Sequence, residues 1–306
     1  MGKIAFVFSG QGAQYSGMGK SLYELGGSVK KMYDNAEEIR NGTMKQSFEG
    51  SDEELKITAN TQPCLYLVDL GAALALEDNG ISADAVAGFS LGEIAALAYA
   101  GAYSHEEGFK IVTERGKLMN DAAGKADTAM AAVMKLSAEE VENLTNEFEN
   151  LYPVNYNCPG QIVVSGLKSE MSAFEEKVKE AGGRIIPLAV SAAFHSPFMA
   201  DAADEFGKKL ESFKIDAPVK PCFANLNALP YGEDVRETLK LQMKSPVKWQ
   251  TTIENMIADG FTDFIEVGAG KTLSGLIKKI SKEVNVYNVQ DKESLDATLE
   301  ALKNNA

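Results

Sequence analysis

Apolar and polar positions alternate along the chain in blocks of changing period. Near the start, five consecutive apolar residues, Ile4-Ala5-Phe6-Val7-Phe8, run into Ser9-Gly10. A short continuous apolar run closed by glycine predicts a strand buried on both faces, as in parallel sheets. Over 61–78 the period changes: Leu65, Val68, Leu70, Ala73, Leu74 and Leu76 recur at helical spacing and stop at Asn79-Gly80, which predicts a helix. Ala85-Val86-Ala87 predicts a second strand entering Gly88, and Leu91 to Ala100 a helix after it. Strand, glycine turn and helix in alternation argue for the α/β class with a parallel sheet.

The middle of the chain follows a different order. Met130 to Leu136 reads as a strand, and Ser137-Ala-Glu-Glu140 as a capping box opening a helix to about Glu149. Short strands at 153–156 and 161–165 flank the turn signal Cys158-Pro159-Gly160. A helix from Ser169 to Ala181 ends at Gly182-Gly183, and Arg184 to Val190 reads as a strand. This β-α-β-β-α-β order is the ferredoxin-like unit. Residues 127–191 are therefore expected as a small domain inserted into a larger α/β domain made of 1–126 and 192–306, with Ala122-Ala-Gly-Lys-Ala126 as entry linker. Beyond the insert the α/β rhythm resumes, with helices near 199–213, 232–242 and 249–259 and strands at 219–223 and 263–267.

Composition narrows the function classes. The chain has 306 residues, 45% hydrophobic and 24% charged, which suits a globular enzyme and excludes a disordered chain. A net charge of -14 argues against nucleic acid as the main partner, because phosphate binding needs a basic face. The longest apolar stretch, Leu65 to Leu76, is too short for a bilayer and carries Asp69. No signal-peptide core opens the chain, and Phe6 stands where a myristoylation signal needs Ser or Thr. Cys64, Cys158 and Cys222 are widely spaced without C-x-x-C, so a reducing compartment is expected, with neither disulfides nor a zinc site. The expectation is a cytoplasmic protein without membrane contact, metal or cofactor.

Chemistry concentrates in a few places. Gly88-Phe89-Ser90-Leu91-Gly92 is a G-x-S-x-G pattern between a predicted strand and a predicted helix. That setting is what a nucleophile elbow requires, although a helix N-cap serine would leave the same trace. A serine nucleophile needs a base, and the chain has two histidines. His105 follows Ser104 and precedes Glu107, a capping-box arrangement that predicts an exposed first helical turn. His195 lies in Ser191-Ala-Ala-Phe-His195-Ser-Pro197, a loop at the junction of the two expected domains, where clefts form. It is the base if Ser90 is the nucleophile, and a structural residue otherwise. Gly10-Gln11-Gly12 after the first strand offers close backbone approach and an amide donor, or simply a turn. Arg115 sits in a helical stretch and reads in isolation as a solvated charge. Gly270-Lys271-Thr272 lacks the earlier glycine of a phosphate loop, since Ile265 occupies that position.

Taken together and in order, these motifs resemble the malonyl-CoA:acyl-carrier-protein transacylases and the acyltransferase domains of polyketide synthases. The resemblance runs through Phe8-Ser-Gly-Gln-Gly12, Gly88-Phe-Ser-Leu-Gly-Glu93, Arg115-Gly-Lys-Leu-Met119, Asn155-Tyr-Asn-Cys-Pro-Gly-Gln161, Ala193-Phe-His-Ser-Pro-Phe-Met199, Ser245-Pro-Val-Lys-Trp249 and Glu266-Val-Gly-Ala-Gly-Lys271. It implies a hydrolase-like parallel-sheet domain with a ferredoxin-like insert, and malonyl-CoA and acyl carrier protein as partners. It further implies Ser90 as nucleophile, His195 as base, Gln11 and Leu91 as oxyanion hole, and Arg115 as partner of the substrate carboxylate. Gln242 would orient the histidine through its carbonyl, and Phe194 would favour malonyl over branched groups. The chain departs from this family at Phe89, where histidine is usual. The family's carrier protein is acidic, so a chain of this charge needs a local basic patch, with Lys278-Lys279 and Lys282, or Lys244 and Lys248, as candidates. A serine hydrolase with the same Ser90 and His195, or a non-catalytic module on this scaffold, are the competing readings.

Overall fold

In the computed structural model, residues 2–190 and 192–304 are described. Nine strands run along them: β1 (Lys3–Phe8), β2 (Ala85–Gly88), β3 (Thr128–Met134), β4 (Leu151–Cys158), β5 (Gln161–Leu167), β6 (Arg184–Pro187), β7 (Cys222–Phe223), β8 (Phe261–Val267) and β9 (Asn285–Val289). The early apolar run forms the middle strand of a five-stranded sheet ordered β7-β2-β1-β8-β9. Every pairing in it is parallel. Ile4 to Phe8 are all buried, as strands covered by helices on both faces must be.

The helix Thr58–Asp78 is hydrophobic on every side and sequestered along most of its length. It starts at Thr58, three residues before the predicted start, with Thr58 buried and Ala59 and Asn60 half-buried. Helices Gly27–Ile39 and His105–Ala123 flank it. The latter runs on through Ala123, so the expected entry linker loses its first two residues to helix. No helix of the described residues is long and apolar enough to cross a membrane.

Strands β3 to β6 form a second, antiparallel sheet ordered β4-β5-β3-β6. That order, with helices Ala138–Thr145 and Lys168–Glu180, is the ferredoxin-like arrangement. A separate apolar cluster of Val133, Val141, Leu151, Ile162, Val164, Phe174 and Val178 holds these helices to their sheet. The Ser137–Glu140 capping box forms in both directions, but its helix stops at Thr145 instead of Glu149. β6 ends at Pro187 although apolar residues continue to Val190: the Leu188 N–H still donates to the Met130 carbonyl of β3 at 2.9 Å, and Leu188 and Val190 both line the cavity between the two sheets. Ser191 lies outside the described residues. The strand expected at 219–223 shrinks to Cys222–Phe223, since Pro221 has no N–H to donate to a ladder. Gly268-Ala269-Gly270 does make a strand-to-helix turn, and Glu266 accepts from Leu273 and Ser274 N–H at 3.0 and 2.7 Å, filling the helix N-terminus.

One contact fixes how β2 meets the helix Gly92–Tyr99. A Cβ at Gly88 would stand 2.0 Å from the Gly92 carbonyl carbon, and one at Gly92 would stand 2.3 Å from the Phe8 carbonyl oxygen. Backbone therefore lies directly on backbone. Gly88→Ala is expected to destabilise the protein by about 1–3 kcal/mol through overpacking, read as a lower urea midpoint. An unchanged midpoint would mean the turn can relax.

Candidate active site

The elbow is built by strain and close packing. Ser90 adopts φ 54°, a left-handed conformation unusual for a side chain other than glycine. Asn225 holds that turn in place: its Oδ1 accepts from the Ser90 N–H at 2.8 Å, and its Nδ2 donates to the Gly88 carbonyl at 2.6 Å. Ser90 therefore does not act as a helix N-cap; the helix starting at Gly92 has no side-chain cap.

His195 arrives from the far side of the cavity, also at positive φ (60°) and only 4% exposed. Its Nε2 lies 2.7 Å from Ser90 Oγ, and its Nδ1 lies 2.9 Å from the Gln242 carbonyl oxygen. A carbonyl can only accept, so Nδ1 carries the proton and Nε2 presents its lone pair to the serine hydroxyl. Burial and the nearby Arg115 charge push the imidazole down to about 4, against the pull of backbone hydrogen bonds at Gln242 and Ser245. The ring is thus neutral at physiological pH, as a general base must be.

Arg115 is not a solvated helix charge but is fully buried. Its Nη2 donates to Ser90 Oγ at 3.1 Å and to Gln242 Oε1 at 2.9 Å, while Nη1 donates to Gln62 Oε1 at 2.9 Å. Nε has no protein partner, so the cation retains donor capacity. Gln242 Nε2 in turn donates to the Ser90 carbonyl at 2.8 Å and to Glu93 Oε2 at 3.3 Å. Glu93 also accepts from Tyr231 OH and from the Asn225 N–H. Burial pushes its carboxyl up to about 7, opposed by these donors and by the Arg115 charge.

Gln11 and Leu91 sit beside the serine, but the Gln11 side-chain amide is not free: Nε2 donates to Thr58 Oγ1 at 3.1 Å. The amide donor expected from this side chain is therefore engaged elsewhere. The backbone N–H groups of Gln11 and Leu91 donate to no protein acceptor among the described residues. Around them lies a cavity of about 260 Å³. Phe89, Met130, Val163 and Phe194 give it apolar walls; Asn155, Asn157 and Gln161 give it polar ones. His105 is remote from all of this. It is half-buried, not exposed, and burial lowers its imidazole below the ordinary value. Ser104 Oγ accepts from the Glu107 N–H at 3.1 Å, but the Glu107 carboxylate pairs with Lys110, so the expected capping box is only half made.

Comparison with known proteins meets this geometry. Residues 5–299 match the family model described as "Acyl transferase domain". The chain belongs to that acyl transferase family. Among its relatives, a malonyl CoA-acyl carrier protein transacylase of Bacillus subtilis (strain 168) is 40% identical, covering 99% of this chain and 98% of that protein. A protein of the same name from Synechocystis is 36% identical over 96% and 99% of the two chains. The crystal structure of the Clostridium perfringens malonyl CoA-acyl carrier protein transacylase superposes with a TM-score of 0.95 at 36% identity, covering 99% and 98%. A malonyl-transacylase in complex with its type II PKS acyl-carrier protein superposes at 0.93 with 31% identity, covering 98% and 99%.

In this acyltransferase, Phe89 takes the place of the expected histidine and packs edge-on against Trp249, ring centroids 5.5 Å apart. Gln62, Asn225 and Tyr231 had no role in the sequence reading, and Glu93 appeared only as the end of a motif. Each is an ordinary polar residue whose partners lie far along the chain, so no local pattern marks it. Measured with a serine-directed fluorophosphonate, Ser90 reactivity is expected to stay level as pH falls through 6.5 and to drop near 4. Circular dichroism at each pH separates loss of base from loss of fold. In Arg115→Ala the drop should move toward 6.5, because a charge that depresses His195 is gone. An acid limb near 6.5 in the unaltered enzyme would refute the buried, neutral imidazole.

Proposed function

We propose that this acyltransferase moves a malonyl group from malonyl-CoA to the phosphopantetheine thiol of an acyl carrier protein through a malonyl ester on Ser90, supplying fatty-acid synthesis in the cytoplasm. The observation that carries this reading is the convergence of a neutral base and a buried guanidinium on one serine oxygen: His195 Nε2 at 2.7 Å and Arg115 Nη2 at 3.1 Å. An esterase for neutral acyl groups has no use for a cation there. A malonyl carboxylate does, since burying that anion alone would cost several kcal/mol, and a guanidinium can take both its oxygens.

In the first half-reaction, Ser90 Oγ attacks the thioester carbonyl carbon as its proton passes to His195 Nε2. The oxyanion is met by the backbone N–H groups of Leu91 and Gln11. Collapse of the tetrahedral adduct breaks the carbon–sulfur bond, and the departing coenzyme A thiolate takes the proton from His195. In the second half-reaction the carrier thiol gives its proton to His195, its sulfur attacks the ester, and Ser90 leaves as a hydroxyl after reprotonation. Gln242 keeps the imidazole in the required tautomer through its carbonyl. Phe194, on the cavity wall and 7% exposed, fills the space a branched acyl group would need. In this reading residues 127–191 form the small subdomain that closes the cavity over the large domain of residues 1–126 and 192–306.

Incubation with malonyl-CoA followed by peptide mass spectrometry should place a malonyl adduct on Ser90, and Ser90→Ala should abolish it. His195→Ala should slow loading by about 10²–10⁴-fold. Free malonate as the main product would support a hydrolase instead, and no adduct at all a non-catalytic scaffold. Arg115→Ala should lose malonyl transfer and gain acetyl transfer; an unchanged malonyl-to-acetyl rate ratio would remove Arg115 from substrate selection.

A further inference from the structure

The central helix Thr58–Asp78 buries a run of apolar side chains, and one carboxyl interrupts it. Asp69 is fully buried, between Val68 and Leu70, which are buried as well. Its Oδ1 accepts from the Ser9 hydroxyl at 2.7 Å, and its Oδ2 has no protein partner among the described residues. Burying a carboxyl costs stability that an apolar residue at this place would not, and a buried polar atom without a partner calls for a reason. Burial, aided by the nearby Glu266 charge and opposed by the Ser9 hydrogen bond, holds the Asp69 carboxyl well above the ordinary carboxylate range. At neutral pH the group is therefore an uncharged acid.

Its neighbours supply that reason. Ser9 follows the end of β1 and Gly268 follows the end of β8. A Cβ on Gly268 would stand 1.8 Å from Asp69 Oδ1 and 2.7 Å from Ser9 Oγ, so the carboxyl fills the wedge between the two strand exits. Two residues on, Gln11 Nε2 donates to Thr58 Oγ1 at 3.1 Å. Thr58 and Asp69 lie about three turns apart on one face of the same helix. The central helix thus holds residues 9–11 by a side chain at each end. Between them, a Cβ on Gly10 would stand 2.8 Å from the Phe89 carbonyl oxygen, which leaves this strap pressed onto the elbow. Ser9, Gly10 and Gln11 all line the active-site cavity with Ser90.

We propose that Asp69 is a positioning residue for acyl transfer: through Ser9 it fixes the strap of residues 9–11, and with it the Gln11 N–H that meets the oxyanion. This rests on the acyl-serine reading above. Asp69 itself touches neither substrate nor reacting atoms. An uncharged acid suits the task, because a carboxylate behind the strap would repel the negative charge that develops on the substrate carbonyl oxygen. Removing an oxyanion donor costs roughly 10²–10³-fold in rate, and loosening the support of one costs part of that.

The test compares Ser9→Ala, Asp69→Ala and Asp69→Asn with the unaltered enzyme. Single-turnover loading of Ser90, KM for malonyl-CoA and the pH profile are measured, with urea midpoints alongside. We expect loading to slow about tenfold in Ser9→Ala and in Asp69→Ala, with KM within about twofold and the acid limb, set by His195, unmoved. Ser9→Ala deletes a single hydroxyl and keeps the test open should Asp69→Ala not fold. Combining the two should be no slower than the slower single variant, since the pair acts as one unit. Asp69→Asn, an uncharged isostere that still accepts from Ser9, should recover most of the rate. A normal loading rate in Ser9→Ala, a loss carried by KM, a shifted acid limb, or Asp69→Asn as slow as Ser9→Ala would each overturn the proposal. Failure of the unaltered enzyme to load Ser90 would instead overturn the underlying functional reading.

Discussion

A guanidinium cut off from water must be solvated by the protein, and much of this site is arranged to do so. Three carbonyl or hydroxyl oxygens, from Gln62, Ser90 and Gln242, accept from Arg115. Each acceptor belongs to a different part of the fold: the central helix, the elbow after β2, and helix Val235–Gln242. Seating one cation thus ties three distant segments together. Gln242 is the most heavily committed. Its side chain bridges Arg115, Glu93 and the Ser90 carbonyl, and its own carbonyl accepts from His195. Nucleophile, base and cation are aligned through this one residue.

The second constraint is covalent geometry. Ser90 and His195 both lie at positive φ, a cost of order 1–3 kcal/mol each that surrounding contacts have to offset. Asn225 clamps the first from both sides, while Gly88 and Gly92 allow the strand and helix to meet without intervening side chains. Strain of this kind survives only in a rigid setting. The apolar cores packed against the two sheets supply it.

Much of the architecture was legible wherever a local rule governs. β1 carries five apolar residues after Lys3 because both of its faces are covered there, and the Ser137 helix opens where a capping box is written. Helix Gly27–Ile39 buries Val29, Met32, Tyr33 and Ala36, a helical spacing open to the same rule but flanked by glycines that read as loop. β9 and the helix Lys292–Asn304 were likewise passed over; β9 is only partly buried, so its apolar signal is faint. Within the site, Ser90 stood out by its glycines, whereas Arg115 reads in isolation as a solvated charge although it lies at helical spacing between Val112 and Met119, on the face the helix buries. The Gln11 side chain misled for another reason: the pull of Thr58 is a tertiary contact between residues 47 positions apart.

The pairing of Glu93 and His195 in one buried network has a consequence for proton exchange with solvent. The Glu93 carboxyl stands at about 7 in the folded protein against an ordinary 4.5, and the His195 imidazole at about 4 against an ordinary 6.5. A raised carboxyl contributes stability that is full below 4.5 and lost as pH climbs through 7; a lowered imidazole contributes stability that is full above 6.5 and lost as pH falls through 4. Between those limits folding draws a proton onto one group and sheds one from the other. The two exchanges offset, so this pair of groups adds little slope to the pH dependence of folding across the mildly acidic range.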